Sequence, residues 1–274
     1  MFIIACLLII LGLMPFLYKA NHNTKDVKVN TISVERVQAP ALKKKLNILH
    51  LSDLHLENIS ISPERILELA NKKRVDLIAL TGDFLDRKRN IPKLANYLKA
   101  LKKLKPAYGM YAVFGNHDYL LKDEHFRKLK RVLEDNGCIT LQNQHVSIEV
   151  EGETLNIIGI DDYSTKRSDI AGSYKGLKEG YNLVLTHDPN VVLDMQEFHF
   201  DYLLSGHFHG GQIHWPKPYH LVKMGKLVRM NMINMIKGLH YHHDKPFYIS
   251  EGLGQTGANI RIGSRPEMTF HHIS

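Results

Sequence analysis

The amino-acid sequence predicts an α/β fold, in which strands alternate with helices and a sheet is covered by helices. Two observations support this prediction. From Leu46 to Asn136, short apolar runs of strand length alternate with stretches whose apolar residues recur at helical spacing. Beyond Asn136-Gly137 the helical spacing gives way to segments of alternating polarity, which indicates the strands of a second sheet.

The first strand of the domain is predicted over Leu46–Leu51, a short apolar run followed directly by Asp53 and His55. Ser62 is a typical N-cap residue, and the helix that it predicts has Pro63 in its first turn. The inner face of that helix carries Ile66, Leu69 and Ala70. A strand that ends in candidate ligands is therefore followed by a covering helix.

Two more strands with the same ending follow. Val75–Leu80 is predicted as a buried strand and leads to Asp83. A helix through Leu94, Leu98 and Leu101 then leads to a strand over Met110–Phe114, which ends in Asn116, His117 and Asp118. In such sheets functional groups gather at the carboxyl ends of the strands, so these side chains are candidates for one site.

The second half of the chain is predicted as strands with short connections. Two further strand ends carry histidines, His187 after Leu183–Thr186 and the pair His207 and His209 after Tyr202–Leu204. The other strands of this half are predicted at Val146–Val150, Leu155–Ile160, Phe247–Ser250 and Met268–His272, and the last two would complete the second sheet.

The N-terminal segment has a different character from the rest of the chain. Residues 1–18 carry no charged side chain, so we predict a membrane anchor over residues 1–20, a polar linker over 21–45 and one catalytic domain over 46–274. A cleavable signal peptide and a lipidated Cys6 are weaker alternatives, because no basic residue precedes the apolar run. Lysines after the span favour the cytoplasmic face of the cell membrane.

Composition restricts the partners. Lysine plus arginine exceed aspartate plus glutamate by 36 − 28 = 8, which suits a phosphorylated substrate or an acidic membrane surface, although a soluble basic protein explains the excess equally well. Aromatic residues are not interleaved with the basic runs, so no nucleic-acid recognition is expected. The methionine-rich stretch from Met224 to Met235 is compatible with a lipid-facing flap or with an adaptable part of the core. The sequence does not indicate an oligomeric state.

Seven candidate metal ligands lie in five segments, each at a predicted strand end: Asp53, His55, Asp83, Asn116, His187, His207 and His209. Carboxylate and imidazole ligands suit manganese, iron or zinc, and one carboxylate can bridge two cations. Asp83 is the natural bridge. His240, His242 and His243 are expected in a polar hairpin, with adventitious metal binding as the less favoured alternative. His271 and His272 are expected at the surface.

The order and spacing of these motifs resemble those of the calcineurin-like metallophosphoesterases. The resemblance covers residues 46–274 and rests on Asp53-x-His55, Gly82-Asp83, Gly115-Asn116-His117-Asp118, His187 and Gly206-His207-x-His209. It implies a four-layer αββα sandwich of two mixed sheets flanked by helices. It also implies two divalent or trivalent metal ions, one bound by Asp53, His55, Asp83 and His209 and the other by Asp83, Asn116, His187 and His207.

Within that family, three motifs resemble a membrane-associated branch related to UDP-2,3-diacylglucosamine pyrophosphohydrolases: Ser205–Gln212, Glu251–Gly254 and Arg265–Glu267. The resemblance implies hydrolysis of a phosphoester or pyrophosphate, with attack by a metal-bridging hydroxide and a lipid-linked or nucleotide-linked substrate. His117 would protonate or stabilise the leaving oxygen, and Asp118 would orient its imidazole.

Three other functions remain open on the sequence. One is a phosphodiesterase for soluble substrates, and another is a catalytically silent metal-binding scaffold, which would be expected to have lost ligands or His117. The third is a redox metalloprotein. This function has less support, because the candidate ligands include no identifiable cysteine or tyrosine.

Overall fold

The computed structural model describes residues 13–35, 44–213 and 235–274, in which twelve strands form two six-stranded sheets. In spatial order the first sheet contains β1 (Lys28–Val34), β12 (Glu267–Ile273), β2 (Leu46–Leu51), β3 (Leu77–Thr81), β4 (Met110–Val113) and β5 (Cys138–Thr140). Strands β2 to β5 are parallel, and β12 runs antiparallel to β2. The carboxyl ends of β2, β3 and β4 therefore lie at one edge of the sheet.

The second sheet contains, in spatial order, β10 (Gly238–His242), β11 (Lys245–Ile249), β9 (Tyr202–Ser205), β8 (Tyr181–Leu185), β7 (Glu153–Gly159) and β6 (Gln144–Val150). Its four central strands are parallel, and β6 and β10 pair antiparallel at the two edges. Both sheets are mixed, as predicted. The expected polar hairpin around His240 and His243 is the β10–β11 hairpin.

Helices cover the outer face of the first sheet. They are α1 (Pro63–Ala70), α2 (Ile91–Lys102) and α3 (Asp123–Asp135), and the short α4 (Ile170–Tyr174) packs on the second sheet. The Ser62 side chain accepts from Arg65 N–H, so the predicted N-cap of α1 is present. Apolar side chains fill three layers, one between the sheets and one on each outer face. The αββα prediction is thus confirmed.

The predicted position of the last strand and the predicted extent of the linker need correction. The late strand β12 does not complete the second sheet, because its backbone pairs with β1 and β2 in the first. Lys28–Val34 lies within the range predicted as a linker, yet it forms β1 along the outer edge of β12. Its partner is more than 200 residues away in sequence, so no local pattern could indicate the pairing.

The predicted N-terminal membrane anchor is not supported. Residues 1–12 lie outside the described residues, and residues 13–22 are helical. No helix in the described part of the chain is long and apolar enough to cross a membrane. Ala20 is buried and its carbonyl accepts from Arg261 N–H at 2.9 Å, so the end of the predicted anchor packs on the domain. The described residues therefore do not support the predicted placement at the cell membrane through a single anchor.

Most of the methionine-rich stretch, residues 224–234, lies outside the described residues.

A polar layer is buried between the two sheets. His50 on β2 and His271 on β12 are both fully buried, with ring centroids 5.4 Å apart. His50 Nε2 lies 2.8 Å from Thr81 Oγ1, and His271 Nδ1 lies 2.8 Å from the Tyr202 hydroxyl on the opposite sheet. Burial lowers the pKa of His50 to about 3 and the pKa of His271 well below its usual range. Both rings are therefore neutral in the folded chain, and the expected surface position of His271 was wrong.

These neutral rings make the free energy of unfolding pH-dependent. In the unfolded chain a histidine titrates near pH 6.5, so as the pH falls below that value the unfolded state gains protons that buried His50 does not take up. The stabilisation is complete above pH 6.5 and is lost as the pH falls towards 3, the folded pKa of His50. We expect His50 alone to account for a loss of about 3 kcal/mol between pH 7.5 and 4.5.

Urea unfolding of the metal-free chain at both pH values would measure this loss. His50→Gln should show a pH dependence smaller by that amount, whereas the exposed His243→Gln should keep the wild-type dependence. Equal pH dependence in all three proteins would contradict the assignment.

Candidate metal centre

The carboxyl ends of strands from both sheets meet at one place. Asp53, Asp83 and Asn116 follow β2, β3 and β4 of the first sheet, while His187 and His207 follow β8 and β9 of the second. Six of the seven predicted ligands, together with His117, fall into three groups whose possible ligand atoms lie within 4.8 Å of one another. The groups are Asp53–His55–His209, His55–Asp83–His117 and Asp83–His187–His207.

Asp83 is central to this arrangement. Its Oδ2 lies 3.1 Å from His187 Nε2 and 3.5 Å from His55 Nε2, so one oxygen faces histidines of two different groups. Burial opposes ionisation of Asp83, but the charges of His187 and His55 outweigh it and hold the pKa of this carboxyl well below its usual range. A similar contact between a carboxylate and a histidine is made by Asp53, whose Oδ1 lies 3.4 Å from His209 Nε2.

Pairs of imidazole nitrogens face each other across the site. His55 Nε2 lies 3.2 Å from His209 Nε2, and His207 Nδ1 lies 3.2 Å from His187 Nε2. Two ligands bound about 2.0–2.1 Å from one metal ion lie roughly 2.9–3.4 Å apart, depending on the coordination angle. The spacing of both pairs therefore fits a shared cation.

The Asn116 side chain is consistent with this fit. Its Oδ1 is buried and has no hydrogen-bond partner among the described residues. A buried acceptor without a partner costs about 1–3 kcal/mol, so such groups are rare unless something else occupies them. A metal ion is a natural occupant for a carbonyl oxygen beside Asp83, whose Oδ1 accepts from the adjacent His117 N–H at 2.9 Å.

Hydrogen bonds from behind the site fix two histidine rings. His187 Nδ1 lies 2.8 Å from the Thr81 carbonyl oxygen, and His55 Nδ1 lies 3.0 Å from Asp86 Oδ1. Each acceptor requires a proton on Nδ1, so Nε2 is the nitrogen that faces the site. Loss of the Nε2 proton then gives the tautomer that binds metal.

Asp86 was missed in the sequence. Its Oδ1 contacts His55 and also lies 3.1 Å from His117 Nδ1, off the line of a straight hydrogen bond. Burial opposes protonation of His117, but Asp86 and Asp83 outweigh it and raise the pKa of His117 to about 9. The available signal was a second aspartate three residues after Asp83, which alone does not distinguish a solvated loop residue from a histidine partner.

Asp118 has a different position from the one predicted. Its carboxylate does not orient the His117 imidazole, because both oxygens accept from backbone N–H groups of the ligand loops. The donors are Asp83 at 2.9 Å, Phe84 at 2.9 Å, Leu85 at 3.3 Å and Gly115 at 3.0 Å. Asp118 thus ties the loop after β3 to the loop after β4, and Asp86 takes the place beside His117.

Replacing Asp118 with asparagine should destabilise the protein. An amide NH₂ in place of one oxygen would face two backbone N–H groups, and each buried donor left unpaired costs about 1–3 kcal/mol. We expect a loss of about 3 kcal/mol in urea unfolding of the metal-free chain. Asp135→Asn, at the exposed end of α3, should stay within about 0.5 kcal/mol of wild type. Equal stability of the two variants would show that these bonds contribute little.

The ligand backbone is strained. Five of the seven predicted ligands have a positive φ: Asp53 (52°), His55 (37°), Asp83 (54°), His207 (75°) and His209 (50°). This conformation is unfavourable for residues with a side chain, by about 1–3 kcal/mol each, and it persists only where surrounding contacts impose it. Such strain is concentrated at functional sites. Its presence here indicates that the surrounding contacts hold the ligand side chains in defined directions.

Gly206 shows how closely the ligand loops approach. A methyl group there would collide with the side chains of Ser52 and Asp53, so only glycine lets the β9 loop lie against the β2 loop. This contact allows His207 N–H to donate to both Asp53 carboxylate oxygens at 3.2 Å.

Comparison with known proteins gives a consistent result. A family model described as Calcineurin-like phosphoesterase matches residues 46–211. The chain is 75% identical, over the full length of both proteins, to an uncharacterised metallophosphoesterase, YkoQ, of Bacillus subtilis. It is 30% identical to an uncharacterised metallophosphoesterase of Helicobacter pylori, over 84% of this chain and 60% of that protein.

A solved structure shows the same fold. The phosphopantetheinyl hydrolase PptH of Mycobacterium tuberculosis superposes with a TM-score of 0.51 and 12% identity, over 76% of this chain and 90% of that one. At this level of identity the likeness concerns the fold alone.

Proposed function

The chain belongs to the calcineurin-like phosphoesterase family and is a metal-dependent phosphoric ester hydrolase, and from this premise we propose that it uses two metal ions. The family resemblance drawn from the motifs is thereby confirmed. Family membership does not establish the number of metal ions, their identity or the substrate, and these are proposed here.

The observation that supports two ions is the sharing of ligands between groups. Asp83 belongs to one group with His187 and His207 and to another with His55, and His55 also belongs to the group with Asp53 and His209. A single ion could bind only one of the two histidine pairs, His55–His209 or His187–His207. The nitrogens of the other pair would then face each other with no metal ion between them. We therefore assign one ion to Asp53, His55, Asp83 and His209 and the other to Asp83, Asn116, His187 and His207.

When bound, manganese, iron or zinc ions in such a pair activate water and polarise the phosphoryl group. The residues of the chain supply the rest. Thr81 and Asp86 keep the Nε2 atoms of His187 and His55 directed into the site. His117 lies beside His55 and Asp83 but is not a ligand of either proposed ion. It can hold a proton for the leaving oxygen.

The proposed substrate is a phosphoester or a pyrophosphate. Linkage to a lipid or a nucleotide, drawn from the motif resemblance to the diacylglucosamine pyrophosphohydrolases, stays a prediction. The excess of eight positive charges is compatible with either anionic class and does not discriminate between them.

The test uses the full chain after removal of metal and reconstitution with manganese, iron or zinc. Metal per chain would be measured by mass spectrometry. Hydrolysis would be measured with a chromogenic phosphomonoester, a chromogenic phosphodiester, a nucleotide-sugar pyrophosphate and a lipid-linked pyrophosphate in mixed micelles. We expect about two ions per chain and turnover that requires them. His125→Ala, a histidine on α3 outside the three ligand groups, is the matched control and should retain both.

Absence of metal after reconstitution would contradict the proposal. One ion per chain with full activity would contradict its dinuclear part alone. Faster cleavage of the chromogenic diester than of both pyrophosphates would contradict the lipid-linked and nucleotide-linked prediction.

A further inference from the structure

Arg261 lies completely buried behind the metal centre, with 0% of its surface exposed. Its two terminal nitrogens donate hydrogen bonds of 2.6–3.0 Å to five oxygens of one segment: the carbonyls of Glu251, Gly252, Gly254 and Arg265 and the Ser264 hydroxyl. A buried cation is tolerated only when its donors are satisfied in this way. Burial lowers the pKa of Arg261 to about 10, so the side chain stays charged at neutral pH.

One end of this segment supports Asp53. Leu253 N–H donates to the Ser52 carbonyl at 3.0 Å, and Gly254 N–H donates to the Asp53 carbonyl at 2.7 Å. Gly252 packs so closely on the Asp53 side chain that an added methyl carbon would lie 2.6 Å from Asp53 Cβ. Since Arg261 binds the carbonyls of Gly252 and Gly254, it holds the backbone that fixes Asp53.

The other end of the segment supports His209. The Ser264 hydroxyl donates to the His209 carbonyl at 2.7 Å while accepting from Arg261 at 2.9 Å. Arg261 is therefore one residue removed from His209 along this path. Both ligands that it reaches have a positive φ, the strained conformation that needs outside support.

Two ligands of the other group are supported by different residues. Thr81 holds the His187 ring, and Asp118 holds the backbone of Asp83. None of the described hydrogen bonds of Arg261 reaches the immediate supports of that group. The supports that Arg261 contacts thus belong to the first group, and the second group meets them through His207, whose N–H donates to Asp53 at 3.2 Å.

We propose that Arg261 is a positioning residue chiefly for one metal ion, the ion held by Asp53, His55 and His209. It keeps Asp53 and His209 at ligating distance by fixing the segment 251–265 from within. The inference rests on the two-metal function proposed above. Loss of Arg261 should weaken the ion at this group and leave the ion at Asp83, His187 and His207 in place.

Arg261→Lys tests this, because lysine keeps the charge but has a single nitrogen that cannot span five oxygens. Stepwise affinities would be measured by chelator competition with zinc. We expect wild type to bind two ions, and the variant to bind one ion with nearly unchanged affinity and the other about 10–100-fold more weakly. Arg265→Lys is the matched control, since Arg265 is half exposed in the same segment and should leave both affinities unchanged.

Two double variants, in which Arg261→Lys is combined with a damaged ligand of either group, identify the group that Arg261 supports. In Asp53→Asn, where this group already lacks a ligand, Arg261→Lys should add little further loss. In His187→Ala, where the other group is damaged, it should weaken the remaining ion by the full factor. Ser264→Ala removes only the path to His209 and should weaken the same ion by a smaller factor, which provides a test if Arg261→Lys does not fold.

Equal weakening of both ions in Arg261→Lys, or no weakening in it or in Ser264→Ala, would overturn the inference while leaving the proposed function intact. Failure of wild type itself to bind two ions would overturn the two-metal proposal instead.

Discussion

Replacement of Asp83 with asparagine is expected to lower kcat by about a thousandfold or more and to reduce bound metal from about two ions per chain to one or fewer. The reason is the position of Oδ2, which faces His187 Nε2 at 3.1 Å and His55 Nε2 at 3.5 Å. Asparagine keeps the shape but removes the negative charge shared by the two groups. Stopped assays with the best substrate of the panel and metal analysis of the same samples would measure both effects.

Asp135→Asn provides the matched control, because this aspartate is exposed at the end of α3. It should retain activity within about twofold and both ions. Asp83→Asn with two ions and a kcat within tenfold of wild type would show that Asp83 does not bridge.

The ligands could be predicted from the sequence because each follows a strand directly. The carboxyl ends of neighbouring parallel strands meet at one edge, so the local order of the chain largely determines which side chains converge. The supporting residues could not be predicted in this way. Asp86 contacts His55 across 31 positions of the chain, and Arg261 acts on Asp53 through Gly254, whose N–H donates to the Asp53 carbonyl from far along the sequence. Each of these long-range contacts depends on how the loops pack.

The ends of the chain illustrate the same distinction for the fold. The β-pattern of Lys28–Val34 is short and polar, and only pairing with β12 makes it a strand. His271 was expected at the surface because two histidines near a terminus look solvated. Its alternation with Thr269 and Ile273, both buried, places it between the sheets. The apolar composition of the first residues suggested an anchor, whereas the contact of Ala20 depends on Arg261, which lies near the other end of the chain.

Replacement of His117 with alanine is expected to lower kcat by about 10²–10⁴-fold while both metal ions remain bound. His117 lies close to His55 and Asp83 but outside the two proposed ligand sets, so its contribution should concern the proton of the leaving oxygen. The loss should therefore depend on the leaving group. An ester of a weakly acidic alcohol needs the proton and should lose the full factor, whereas a nitrophenyl ester, whose leaving group is stable as an anion, should lose much less.

Asp86→Asn separates the role of His117 from that of its neighbour. Because Asp86 contacts both His55 and His117, the variant should lose about 10–100-fold in kcat and should weaken metal binding, which His117→Ala should not. If His117→Ala also lost an ion, His117 would have to be counted among the ligands. An equal loss for good and poor leaving groups would assign His117 to phosphoryl binding, because a residue that contacts only the phosphoryl oxygens is insensitive to the group that departs.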